Sequence, residues 1–334
     1  MTSWGDLVSR ARGLSTHVLT PTQLAGLAAS RDMHALAGAL AALGVIPAME
    51  GVVDASRLEH ELRRRAAARL RVLAKWAGTR REQLAPLFLD EDRLILRALL
   101  RGAAAGLPPE ARNAGLVPTV TLPMRAINQL AAAGDVASIG AMLLAWRHPF
   151  GALVATEATR QRPDLLHLEM ALVRSFAESA RGAARDGALR RSVRTRIDVA
   201  NAWAALALAT QRADVAPADL FVPGGALITA DNLAEAVATR SCATLAAQTH
   251  ARAPHSAPDV ALSPPAGVSA EDAVCDAMVR DARAAARRDP LGLAPVILLV
   301  LRTHAELEAL HRIVWSITLG VPAATIAARV GEAA

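Results

Sequence analysis

The chain has 334 residues, 53% of them hydrophobic, and carries a formal charge of +6 from 37 basic and 31 acidic side chains. That is apolar enough to bury a sizeable core, which excludes global disorder. Abundant Ala and Leu, no tyrosine and few β-branched or aromatic runs predict an all-α fold rather than a sheet.

The charge is almost wholly arginine, Lys75 being the single lysine, a bias that a GC-rich genome produces as readily as selection for guanidinium chemistry. Cys242 and Cys275 suit neither a disulfide framework nor a zinc site, which points to a reducing, cytoplasmic setting. The opening residues, MTSWGDLVSRARGL, show no long apolar region, so no signal peptide is predicted. The longest apolar run, Leu291 to Leu301, falls well short of the ~20 residues that a membrane span needs.

Taken in chain order, Trp4 to Leu19 reads as a first helix. Thr20 is placed to cap a second, with Pro21 at its first position. That second helix carries Leu24, Leu27, Leu36 and Leu40 on its apolar face, with Asp32 between them. A long charged helix follows at Ser56 to Trp76. Leu58, Leu62, Leu70 and Leu73 should face inward, and Arg63, Arg64, Arg65, Arg69 and Arg71 largely outward.

Asp90, Glu91 and Asp92 stand where they would complement the positive end of the helix that follows, Asp92 to Pro108. On that helix Arg93, Arg97 and Arg101 recur every four residues, opposite Ile95, Leu96, Leu99 and Leu100. Two readings stand: a solvated helix face, or a docking surface on which guanidinium forks meet an acidic partner.

The frame Leu24, Leu27, Asp32, Leu36 returns as Ile127, Leu130, Asp135, Ile139, and more loosely as Leu233, Ala236, Ser241, Leu245. A second long helix is expected at about Asp164 to Asp186, its start marked by Pro163, and a third at Ser269 to Arg288, where Ser269 and Asp272 have capping-box spacing. The stretch Asp92 to Pro108 has relatives at Ile197 to Pro217 and Thr303 to Pro322. In the last, Leu307, Leu310, Val314 and Ile317 share a face, Gly320 stops the helix, and Glu308 can pair with Arg312.

These two landmarks give a period of roughly 105 residues. They divide the chain into helical repeat units at 1–115, 116–222 and 223–334, with boundaries near Asn113 to Leu122 and Phe221 to Thr229. Within the third unit, Thr249 to Val268 is Pro-, Ala- and Ser-rich without periodicity and reads as a mobile loop. His250 and His255 lie there with no carboxylate or thiol cluster to make them metal ligands.

No nucleotide-binding, zinc-protease or nucleophile-elbow motif occurs, and Gly224-Gly225 reads as a turn. No catalytic, cofactor-binding or metal-binding residue is assigned. Trp76, Trp146, Trp203 and Trp315 sit in apolar helical pattern and read as core, and Trp4 as a residue of an exposed terminus. Aromatic stacking platforms for nucleic acid are absent, so a protein partner is favoured over DNA or RNA.

Four segments, VSRARGLSTHVLT, DEDRLILRALLRGAAAGLP, RIDVANAWAALALA and ELEALHRIVWSITLGVPAATI, together resemble the C subunit of the bacterial and archaeal V/A-type ATPases, the equivalent of the d subunit of the eukaryotic V-ATPase. The resemblance extends over essentially the whole length. It implies an all-helical funnel of three similar domains that caps the membrane rotor ring of c/L/K-type proteolipids. This funnel receives the foot of the central stalk, made by the D and F subunits, and transmits torque without a nucleotide site of its own. It further implies peripheral attachment to the membrane, through the ring alone.

Arg97, Arg101 and Arg312 are the expected partner-interface residues. Reversing the charge of Arg97 and Arg101 should weaken stalk attachment while leaving the isolated fold stable. The sequence departs from the family pattern in its second helix-turn, where Leu206 and Thr210 stand in place of Arg97 and Arg101 and no glycine closes the turn. The rival readings are a helical-repeat scaffold unrelated to ATPases and a basic nucleic-acid-binding regulator.

Overall fold

A computed structural model describes residues 4–159, 164–183, 186–211 and 216–326. Pro163, expected to open the second long helix, lies outside the described residues. The fold is all-α: no strand occurs among the described residues. In chain order the helices are α1 (Gly5–Ser15), α2 (Pro21–Ala28), α3 (Met33–Ala42), α4 (Ala55–Ala77), α5 (Arg81–Ala104), α6 (Pro109–Asn113), α7 (Met124–Ala131), α8 (Val136–Ala145) and α9 (Gly151–Ala158). They continue as α10 (Leu165–Ala183), α11 (Gly187–Gln211), α12 (Pro217–Leu220), α13 (Ala230–Ala238), α14 (Ala243–Arg252), α15 (Ala257–Leu262), α16 (Ala270–Arg288) and α17 (Ala294–Thr318). Two short helices precede two long ones in three stretches: directly in α2, α3, α4 and α5, and with one further short helix between the pairs in α7 to α11, where it is α9, and in α13 to α17, where it is α15.

Local chemistry explains the short pairs. Thr20 caps α2 in a full capping box with Gln23, and Thr229 caps α13 in one with Asn232. The single helix predicted across Leu24 to Leu40 is instead two. Asp32 takes extended backbone (φ −157°) and its carboxylate accepts the Ala35 N–H at 2.7 Å, starting α3 afresh. Asp135 does the same for Ser138 and α8 at 2.7 Å. The apolar residues of the frame are buried in all three places.

The long helices α5 and α17 end alike. Gly106 (φ 67°) and Gly320 (φ 70°) adopt the left-handed conformation, and the N–H groups of Leu107 and Val321 reach back to Gly102 and Ser316, both at 2.9 Å. This is the Schellman closure that a glycine permits at low steric cost.

The chain divides into two compact units, each with its own core. The first takes Met1–Gly78, Ala114–Met124 and Ala282–Ala334; the second takes Thr79–Asn113 and Arg125–Asp281. In the first, α17 packs on α1, α2, α3 and α4, burying Leu7, Leu58, Leu70, Leu73 and Val314. In the second, α5 packs on α10, α10 on α11, and α11 on α13 and α15, around Leu96, Leu99, Phe150 and Phe176.

Several expectations are corrected here. Arg63 and Arg69 are buried, because each finds an acceptor inside the first unit. Trp76, Trp146 and Trp315 are exposed rather than core. Trp76 lies at the end of its helix and Trp146 just beyond its own. Arg10 stacks over Trp76, its Cζ 4.2 Å from the ring centre.

The stretch Thr249 to Val268 is not a mobile loop throughout. It holds the end of α14 and all of α15, whose Ala257, Pro258, Ala261 and Leu262 are buried, with α15 against α11. Pro258 falls in the first turn, where its missing N–H costs nothing. Within this stretch, Asp259 bonds the His250 ring at 3.0 Å and accepts the backbone N–H of His255 at 2.7 Å.

Candidate partner interface

The three arginines expected to meet a partner are all engaged within their own units. Arg97 and Arg101, one turn apart on α5, converge on Glu169 of α10: Arg97 Nε donates at 3.1 Å and Arg101 Nη2 at 2.8 Å. Arg97 also lies over the Trp203 ring of α11, Cζ to centroid 4.9 Å. Burial draws its guanidinium below the ordinary value, opposed by Glu169. The side chain of Arg101 is 51% exposed against 18% for Arg97, so of the two Arg101 is the one that can also reach outward. On α17, Arg312 pairs with Glu308 at 3.1 Å in the predicted i, i+4 order, a contact of a few tenths of a kcal/mol.

Because Arg97 is held between Glu169 and Trp203, reversing its charge would place a carboxylate against Glu169 and disrupt α5 on α10. The expectation that the Arg97 and Arg101 reversal leaves the fold stable is therefore corrected for Arg97.

Deeper on α5 lies a network that reading the sequence missed. Asp90, Glu91 and Asp92 do not precede the helix: α5 begins at Arg81, and all three are buried in its middle. Asp90 accepts two bonds from Arg93, at 2.9 and 2.7 Å, and forms an ion pair with Arg196 of α11, which also lies 3.6 Å from Glu91. Asp92 meets His148 Nε2 at 3.3 Å. The Phe150 N–H donates to His148 Nδ1 at 3.3 Å, so the ring proton sits on Nε2 and points at the carboxylate.

The first unit has a matching arrangement. Glu306 of α17 pairs with Arg69 of α4 and accepts the Leu19 N–H at 2.8 Å, while Arg69 also donates to the His17 carbonyl at 2.6 Å. Those bonds fix the connection between α1 and α2. Glu59 accepts the Gly115 N–H at 2.7 Å and the Trp315 indole at 3.2 Å, with His311 beside it at 3.6 Å. Burial pushes the Glu59 carboxyl up, but the nearby His311 ring and the Gly115 N–H outweigh it and hold it below its ordinary range.

A sequence signal for this network does exist. In the register set by Pro108, Pro217 and Pro322, the positions of Asp92, Asn201 and Glu306 coincide, and each is a buried polar side chain on an otherwise apolar helix face. Asn201 bonds both the N–H and the carbonyl of Val222 at 2.9 Å.

One turn earlier on α11, Asp198 receives the N–H groups of Ala226, Leu227 and Ile228 at 2.8 to 3.1 Å. Burial raises its carboxyl above the ordinary value, and these N–H groups oppose the rise. A Cβ at Gly225 would run into the Asp198 carboxylate, so this glycine is required by close approach. Asp198→Asn, which turns an NH2 toward a ring of donors, is expected to cost about 2 kcal/mol in a urea melt.

Among the described residues, no group of His, Cys, Asp and Glu could hold a metal ion, and no helix is long and apolar enough to cross a membrane.

Long helices clamped by buried charge pairs, whose polar side chains reach out to fix connecting segments, define an all-helical protein. The chain belongs to the ATP synthase (C/AC39) subunit family, whose sequence profile matches residues 7–329. A stretch of 159 residues, 47% of this chain and 44% of the relative, is 29% identical to the C subunit of the V-type ATP synthase of Deinococcus radiodurans. A stretch of 182 residues, 53% of this chain and 52% of the relative, is 28% identical to the C subunit of the A-type ATP synthase of Haloferax volcanii. The chain thus spans about half the length of the curated relatives it matches.

Proposed function

We propose that this chain is a non-catalytic adaptor of a rotary V/A-type ATPase, joining the D and F subunits of the central stalk to the membrane rotor ring and transmitting torque between them. The observation that carries the reading is the family match over residues 7–329. The recurring order of two short and two long helices supports the further proposal of three similar domains forming a funnel. In this reading the chain reaches the membrane only through the ring.

Torque transmission needs an element that does not yield. Close-packed long helices cross-tied by Asp90, Arg196, Arg69 and Glu306 suit that requirement. For the partner surface we retain Arg101 and Arg312, with Arg97 acting from beneath by holding Glu169 and thereby Arg101.

Co-purification tests the adaptor role. A tagged chain should retain both the ring and the D and F subunits, and retention of neither counts against it. The double variant Arg101→Glu, Arg312→Glu should weaken retention of D and F severalfold with an unchanged thermal melt. Undiminished retention removes these two residues from the interface.

A further inference from the structure

The second unit contains a cavity of about 480 Å³ between the end of α10, the start of α11 and the turn at Pro223 and Gly224. Its volume lies in the range of small-molecule sites. Four arginines line it, Arg181 from α10 and Arg190, Arg191 and Arg194 from α11, and no carboxylate does among the described residues. Unlike Arg196, which is paired with Asp90, and Arg174, which is bonded to the Asp219 carbonyl at 2.7 Å, none of the four takes a carboxylate partner among the described residues.

On α11, Arg194 stands three residues after Arg191 and four after Arg190, spacings at which like charges repel by a few tenths of a kcal/mol per pair. Elsewhere on these helices a glutamate or aspartate relieves such crowding, as Glu169 does for Arg97 and Arg101. Here no described carboxylate in the cavity does so.

The start of α11 adds little further attraction, because Asp186 already accepts the Ala188 and Leu189 N–H groups at 2.8 and 3.2 Å. The attraction therefore rests on the guanidinium groups, whose field a concave wall concentrates. Guanidinium forks match phosphate oxygens bidentately. Four of them exceed what one phosphate can neutralise, and Ala177, Val193, Ile197 and Pro223 supply an apolar wall beside them.

We propose that this cavity binds a small anion carrying several linked phosphate groups. The test uses the purified full chain and isothermal titration with sodium tripolyphosphate, with ATP, and with phosphatidylglycerol vesicles as a separate arm. Saturable binding of tripolyphosphate that weakens steeply with added salt is expected. Equal affinity for ATP identifies the phosphate chain as the recognised part, and tighter binding of ATP identifies a contribution from the apolar wall.

Arg190→Gln with Arg194→Gln should weaken binding about tenfold or more while leaving the unfolding transition in place. Arg181→Gln, on the other helix, provides the same readout should the double variant misfold. The absence of saturable binding by either phosphate probe, binding unchanged in these variants, or binding to vesicles alone would each overturn the proposal.

Discussion

Replacing Arg196 with methionine is expected to destabilise the protein by about 3–5 kcal/mol, measured by chemical denaturation of the purified chain. The side chain is buried, and its guanidinium is shared between Asp90 and Glu91, themselves 1% and 2% exposed. Removing it leaves Arg93 as the near cation for Asp90 and strips Glu91 of the charge facing it from α11. The cost is that of carboxylates left in a poor solvent, not the net worth of the pair. The double variant Arg196→Met, Asp90→Leu should therefore recover part of the loss, giving a coupling of about 1–3 kcal/mol in a double-mutant cycle. A single-variant loss below about 1 kcal/mol would mean that Arg93 alone suffices to neutralise the cluster.

Glu306→Leu should have a comparable effect in the first unit, again about 3–5 kcal/mol. The carboxylate faces Arg69, 5% exposed on either side, and also accepts the Leu19 N–H. Its loss leaves a buried guanidinium with the His17 carbonyl as its remaining acceptor and an N–H without one. Because both contacts fix the connection between α1 and α2, hydrogen exchange at Leu19 should rise more than exchange in α4. Uniform exchange changes across the unit would argue against that local role.

Much of the helical content is legible from spacing. Leu58, Leu62, Leu70 and Leu73 mark the inner face of α4, and Leu307, Leu310 and Val314 that of α17, because a buried stripe must repeat near 3.6 residues. Asp32 stands out by its register, yet its capping role does not, since a polar residue inside an apolar repeat looks the same whether it interrupts a helix or caps a new one. The tryptophans are illegible for a related reason: periodicity places a residue on a face but does not say whether another helix covers it, and Trp315 is held at that margin by Glu59.

The charged residues divide most sharply. Arg312 and Glu308 lie four apart on one helix, and their pairing needs only the helical repeat. Arg97, Arg101 and Glu169 are joined by tertiary packing, as are Asp90 and Arg196, whose partners stand roughly 70 to 105 positions away.

By itself, then, the sequence determined the class of fold, the closure at Gly320, the caps at Thr20 and Ser269, and the family resemblance. Each of these depends on residues within a few turns of one another or on pattern along the chain. Which charges are buried, which arginines are already engaged, that Thr249 to Val268 folds against α11, and that four arginines gather around one cavity were decided only by the tertiary structure. Burial and long-range pairing depend on what the distant chain brings alongside, and a charge written in a sequence carries no mark of its partner.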